Sequence, residues 1–235
     1  MKVMQLKNYD ELSRSAADLI AAQVLMKPDC VLGLATGSTP VGTYKMLIED
    51  YKSGKLDFSA VTSVNLDEYV GLDESSDQSY RYFMNHQLFD HINIDKARTH
   101  VPDGKTADLQ AECREYDMLT EKLGGIDFQL LGIGSNGHIG FNEPSDSFIA
   151  ETHVVRLKEE TIRANARFFA SEEEIPCSAI TMGLKSIMQA KKILLIANGD
   201  EKISIINKAL SGPVTPQIPA SILQLHPGCT FIFCR

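Results

Sequence analysis

One run in the first third of the chain constrains the fold more than any other feature. Val31-Leu-Gly-Leu-Ala35 is a short apolar stretch followed by Thr36-Gly-Ser-Thr-Pro40. Tyr44, Leu47, Ile48 and Tyr51 then recur at i, i+3, i+4 and i+7, and Ser53-Gly54 ends that helical pattern. Val61 to Leu66 predicts a second strand. Strand, glycine-containing turn, helix and strand make a βαβ unit, and strands joined by a crossover helix lie parallel.

The rhythm extends to both sides. Asn8-Tyr-Asp-Glu11 resembles a capping box, and Leu12, Ala16, Leu19, Ile20 and Val24 follow at helical spacing until Lys27-Pro28. Helices are expected around 78–90, 107–123 and 158–169, and from about Asp200 to Leu210. Strands are expected at Phe128 to Ile133, at Ser178 to Met182, at Ile193 to Ala197 and at Thr230 to Phe233, with an edge strand near 153–157. No repeat, low-complexity segment or flexible linker divides the 235 residues. The expectation is a Rossmann-like α/β fold, mostly parallel sheet with helices on both faces, as a single domain over 1–235.

Composition removes several classes of function. Lysine plus arginine is 23 and aspartate plus glutamate is 31, a net charge of −8, which argues against a general nucleic-acid or anionic-membrane surface. A small anion remains admissible, because a few cations and backbone N–H groups suffice for it. Cys30, Cys113, Cys177, Cys229 and Cys234 are odd in number and lack Cys-x-x-Cys or zinc-ligand spacing. They read as reduced thiols of a cytoplasmic protein. The N-terminus has no apolar signal core, and no run is long enough to span a membrane.

Three segments after apolar strands carry residues suited to chemistry. Thr36-Gly-Ser-Thr39 opens a helix, where free N–H groups and hydroxyls form an anion site, or simply a capped tight turn. Asp67-Glu68 lies past a strand's carboxyl end, where open α/β sheets bind ligands; a carboxylate there is either a general base or a solvated loop residue. In Gly132-Ile-Gly-Ser-Asn-Gly-His-Ile-Gly-Phe-Asn-Glu143, the glycines suit a backbone that wraps a ligand. Glu143 there is close enough along the chain to hold one nitrogen of His138 and free the other for acid–base work. Arg167 and Lys202 are candidate phosphate cations. Lys158 and Arg163 read as solvated helix faces, and Tyr80 and Arg81 carry no independent signal.

Ala35-Thr-Gly-Ser-Thr-Pro40, Asn65-Leu-Asp-Glu-Tyr-Val-Gly71, Gly134 to Pro144, Arg167-Phe-Phe169 and Leu223-Gln-Leu-His226 together resemble the glucosamine-6-phosphate deaminase (isomerase) family. The resemblance runs from about Val31 to Pro227. It implies conversion of glucosamine 6-phosphate and water to fructose 6-phosphate and ammonia, with no metal or nicotinamide cofactor. By the same resemblance Asp67 is the enolisation base, and His138 is the ring-opening acid–base, oriented by Glu143. Asn136 contributes to ring opening, and Gly37, Ser38, Thr39, Arg167 and Lys202 hold the phosphate. Some members have Asp at the position of Asn136, and Asn cannot share a proton load. Allosterically activated hexamers of the family carry a basic pair where this chain has His153 and Val155, and a C-terminal extension beyond the position of Arg235. The expectation is therefore a monomer or small homo-oligomer without that activation. Two other readings fit parts of the pattern. A 6-phosphogluconolactonase would share the fold and the phosphate loop but would not need the Asp67-Glu-Tyr segment. A sugar-phosphate-sensing domain would carry a DNA-binding module, for which no basic helix-turn-helix extension is present.

Overall fold

The computed structural model describes residues 1–157 and 176–235. The helix expected around 158–169, and with it Lys158, Arg163 and Arg167, lies outside the described residues.

Asn8 opens the first helix: its side chain accepts the Glu11 N–H at 2.9 Å, while the Glu11 carboxylate returns to the Lys7 N–H at 3.2 Å. The capping box is thus closed one residue earlier than in the usual pattern. Helix α1 (Tyr9–Met26) follows strand β1 (Lys2–Leu6) and stops before Pro28, because a residue preceding proline is pushed out of helical geometry. The βαβ unit is β2 (Val31–Leu34), α2 (Val41–Lys52) and β3 (Thr62–Asn65). Then come β4 (Asp67–Tyr69), α3 (Tyr80–Gln87), β5 (Thr99–His100), α4 (Leu109–Lys122) and β6 (Phe128–Leu131). The described chain ends with β7 (His153–Arg156), β8 (Ser178–Thr181), α5 (Leu184–Met188), β9 (Ile193–Asn198), α6 (Ile203–Ser211) and β10 (Cys229–Cys234).

Seven strands form one sheet in the order β1-β10-β9-β6-β2-β3-β5, every neighbouring pair parallel. The inner strands β2, β6 and β9 are buried almost throughout, as sheets covered on both faces require. Close packing explains Gly33: a Cβ there would lie 2.0 Å from Oε1 of Gln129, its register partner on β6. A second, antiparallel sheet has the order β4-β8-β7. The segment expected as an edge strand is β7, at the edge of this smaller sheet.

Three strands were not apparent from the sequence pattern: β1, β4 and β5, the last only two residues long and too short to show alternation. β1 is an edge strand whose residues are mostly exposed, so no alternation of apolar and polar residues marks it. β4 is built from Asp67-Glu-Tyr69, which reads as a polar loop but is fully buried between β8 and the segments above it.

Candidate active site

Chain direction reverses between β2 and β6. From β2 the chain steps outward to β3 and β5; from β6 it steps the opposite way to β9 and β10. The loops leaving the carboxyl ends of these two adjacent strands diverge and leave a crevice, where open parallel sheets hold ligands. Thr36 to Pro40 leaves β2 and Gly132 to Glu143 leaves β6. Asp67 lies just past β3, and Lys202 just past β9, on the same edge. Parallel topology thus gathers the three chemistry-bearing segments and Lys202.

Gly37 adopts φ +92°, a conformation that favours glycine. The turn it makes leaves the backbone N–H groups of Gly37, Ser38 and Thr39 without a protein acceptor among the described residues. Three unpartnered donors just before α2 are groups an anion can accept. Tyr44 braces the loop from below: its hydroxyl donates to the Ala35 carbonyl and accepts from the Ala35 N–H. Lys202, at the start of α6, is half-buried, and its ammonium group has no hydrogen-bond or ion-pair partner among the described residues. Burial holds its pKa below the usual lysine value, and the Glu201 charge offsets part of that.

Asp67 is buried, and burial together with the adjacent Glu68 charge pushes its carboxyl up to about 8. Its carboxylate faces the glycine loop: a Cβ built on Gly140 would stand 3.4 Å from Oδ2 of Asp67. Glu68 points the other way, as alternation along a strand requires. It accepts the N–H groups of Tyr69, Tyr80 and Arg81 at 2.8–2.9 Å and so docks the start of α3. That docking brings Tyr80 into a stack on Phe141 with centroids 6.0 Å apart, while Tyr69 lies 4.8 Å from Tyr80. The three rings form a wall beside Asp67.

His138 is held through a carboxamide. Its Nδ1 lies 2.8 Å from Oδ1 of Asn136, whose Nδ2 donates to Oε2 of Glu143 at 2.7 Å. The other Glu143 oxygen stands 3.6 Å from Nδ1, within ion-pair range but beyond a hydrogen bond. Because the amide nitrogen is committed to the carboxylate, Oδ1 must accept, so Nδ1 carries the proton and Nε2 is left with its lone pair. The loop backbone closes on itself through Gly134 N–H to the His138 carbonyl and Gly137 N–H to the Gly134 carbonyl, both 3.0 Å. Gly134 is required for a steric reason: a Cβ there would lie 2.2 Å from Cε1 of His138.

The structure therefore brings Asp67, Asn136, His138 and Glu143 to one crevice, with Gly37, Ser38 and Thr39 on its adjoining loop and Lys202 on the same edge; Arg167 lies outside the described residues. Sequence reasoning missed Glu68 as the dock for α3 and Thr181, whose hydroxyl accepts the Phe141 N–H at 3.0 Å. No sequence signal marks either, because both act through backbone groups of segments remote in sequence. Among the described residues no group of three or more His, Cys, Asp or Glu side chains is gathered to hold a metal ion.

Fold and site together define an acid–base enzyme of the Rossmann-like α/β class. The chain belongs to the glucosamine-6-phosphate isomerase/6-phosphogluconolactonase family, which it matches over residues 7–232. It is 64% identical to a glucosamine-6-phosphate deaminase of Lachnoclostridium phytofermentans, covering 100% of this chain and 99% of the relative. A Thermoanaerobacter pseudethanolicus deaminase is 56% identical, over 99% of this chain and 92% of the relative. A solved structure of a monomeric glucosamine-6-phosphate deaminase superposes with a TM-score of 0.97 at 48% identity, covering 100% of this chain and 98% of the other. A Thermotoga maritima 6-phosphogluconolactonase shares the fold, with a TM-score of 0.77 at 19% identity over 99% of this chain and 98% of the other.

Proposed function

We propose that this chain converts glucosamine 6-phosphate and water to fructose 6-phosphate and ammonia, and that the whole of 1–235 serves as one catalytic domain. The observation that carries this reading is Asp67: a buried carboxylate, pushed up to about 8, facing the histidine loop across a crevice that also holds an anion-binding turn. An ester hydrolase on the same scaffold has no step that needs a base on carbon. An aldose-to-ketose shift does, and a base works best when its pKa lies near the working pH.

The substrate phosphate is read onto the N–H groups of Gly37, Ser38 and Thr39, with Lys202 and Arg167 as its cations. A dianion held there supplies remote binding energy that fixes a flexible open-chain sugar. His138, with Nε2 facing the sugar, takes the proton of the anomeric hydroxyl and returns one to the ring oxygen, opening the pyranose. Glu143 and Asn136 stabilise the imidazolium that forms between those two transfers. Asp67 then removes the proton from carbon 2 while the carbonyl oxygen takes up a proton that the substrate's ammonium group gives up, and Asp67 delivers its proton to carbon 1. The resulting carbon–nitrogen double bond at carbon 2 adds water and expels ammonia.

The reaction needs no cofactor in this account. We place it in the cytoplasm, a reading that the four buried free thiols among Cys30, Cys113, Cys229 and Cys234 support. No described helix is long and apolar enough to cross a membrane. The direct test is ammonia release from glucosamine 6-phosphate by purified protein with no additive. Hydrolysis of 6-phosphogluconolactone in place of ammonia release would overturn the proposal.

A further inference from the structure

The anion-binding turn is held from its outer side by a residue of a different helix. Tyr9 is the first residue of α1, fixed there by the Asn8 cap. Its hydroxyl accepts the Gly42 N–H at 2.7 Å and is shared between the Thr39 carbonyl at 3.0 Å and the Ser38 carbonyl at 3.2 Å. Peptide planarity gives these bonds a consequence. In a trans peptide the carbonyl of one residue and the N–H of the next point in opposite directions. Holding the Ser38 carbonyl toward α1 therefore turns the Thr39 N–H away from α1. The Thr39 carbonyl can be held the same way at no loss, because Pro40 follows it and has no N–H to misdirect. The close approach this needs is built in: a Cβ on Gly42 would lie 2.2 Å from Oγ of Ser13 and 2.9 Å from the Tyr9 ring.

We propose that the Tyr9 hydroxyl is a positioning group for the phosphate turn, setting the direction of its Thr39 N–H before substrate arrives. Preorganisation of this kind strengthens binding without touching the reacting carbons. The proposal rests on the reading of Gly37 to Thr39 as the phosphate site.

The test compares the unaltered enzyme with Tyr9→Phe, which removes one oxygen and keeps the ring, and with Ser13→Ala. Ser13 lies on the same face of α1 against Gly42, but its buried hydroxyl has no hydrogen-bond partner among the described residues. Tyr9→Phe should raise KM for glucosamine 6-phosphate about tenfold and weaken competitive inhibition by inorganic phosphate in parallel, with kcat within about twofold. Ser13→Ala should leave all three unchanged. Equal KM and phosphate inhibition in Tyr9→Phe and the unaltered enzyme would overturn the proposal, and so would a rise in KM shared by Ser13→Ala. If inorganic phosphate does not inhibit the unaltered enzyme, the phosphate reading itself fails and the proposal falls with it; that failure shows before any variant is made. Amide hydrogen exchange on the unaltered protein gives a reading independent of any variant's folding. The Gly42 N–H should be protected without ligand, and rapid exchange there would show that the Tyr9 bond does not persist in solution.

Discussion

Desolvating a carboxylate favours its neutral form, and at Asp67 the neighbouring Glu68 charge adds to that. Glu68 can stay ionised in the same layer because three backbone N–H groups point at it; burial still raises its pKa, and those bonds pull it back down. Tyr80 and Tyr116 also face Asp67 and are neutral there, since burial raises both phenols. As a base, Asp67 must be ionised to act, so kcat/KM should rise with pH along a limb centred near 8 rather than in the ordinary carboxylate range. Asp67→Asn should abolish turnover while substrate binding stays within about tenfold, because the loss falls on the transition state. The same shift has a stability consequence of definite sign. Between the ordinary carboxylate value and about 8, the unfolded chain releases the Asp67 proton and the folded chain keeps it, so this residue makes folding less favourable as pH rises through that window. Asp67→Asn should therefore melt at a higher temperature than the unaltered protein at pH 8, with the gap closing toward pH 4. Near-normal turnover of the variant, or an equal melting difference at both pH values, would remove Asp67 from its role.

At the scale of elements, the proposed reaction divides its work between the glycine loop after β6, for proton handling, and the turn before α2, for anchoring. The glycine loop positions His138 through a carboxamide, so the charge of Glu143 reaches the ring both across 3.6 Å and through Asn136. Glu143→Gln keeps the shape and removes the charge, so turnover should fall. The loss should not add to that of His138→Gln, because residues acting as a unit cannot be lost twice. Additive losses measured in the double variant would show that the two act separately. On the anchoring side, Lys202→Ala should raise KM strongly, and glucosamine without its phosphate should be a very poor substrate. Comparable turnover of the unphosphorylated sugar would place the anion site elsewhere. How far these elements could be read in advance follows from what holds each one. The glycine loop after β6 was legible because four glycines framing a histidine after an apolar run have few other uses, whereas the single-glycine turn after β2 read equally as an anion site or a capped turn. The Asn8 cap, the βαβ unit and the strand near 153–157 were legible from local pattern and end where the structure ends them, within a few residues. β1 carries no pattern because it is an exposed edge, β5 is only two residues long, and β4 breaks the pattern because its two carboxylates are buried, which strand propensity does not anticipate. Neither the docking of α3 by Glu68 nor the bracing of the turn by Tyr9 was legible, since each joins a side chain to backbone groups of a remote segment.

For the whole molecule the open question is whether one site speaks to another. Activation by a second ligand requires a second site and two global states between which that ligand discriminates. The positions expected for an activator's basic pair are His153 and Val155 on β7. In the structure Nδ1 of His153 lies 2.9 Å from the Glu151 carbonyl, and Val155 packs with Tyr69, Phe141 and Leu157 in the apolar cluster under the small sheet. A side chain committed to that cluster cannot offer a charge to a phosphate, so β7 presents one permanent cation, Arg156, where a pair would be needed. Without that pair the expectation stays a monomer or small homo-oligomer. Light scattering should then give a mass of 26.0 kDa or a small multiple of it, and a hexamer would overturn that expectation. The rate should rise hyperbolically with glucosamine 6-phosphate, and N-acetylglucosamine 6-phosphate should leave both the curve's shape and its midpoint unchanged when added well below inhibitory levels. A sigmoidal curve that this ligand turns hyperbolic would require an effector site with differential affinity for two states. The reading of β7 would then fall first, because His153 and Val155 in place of a basic pair are a main reason for expecting none.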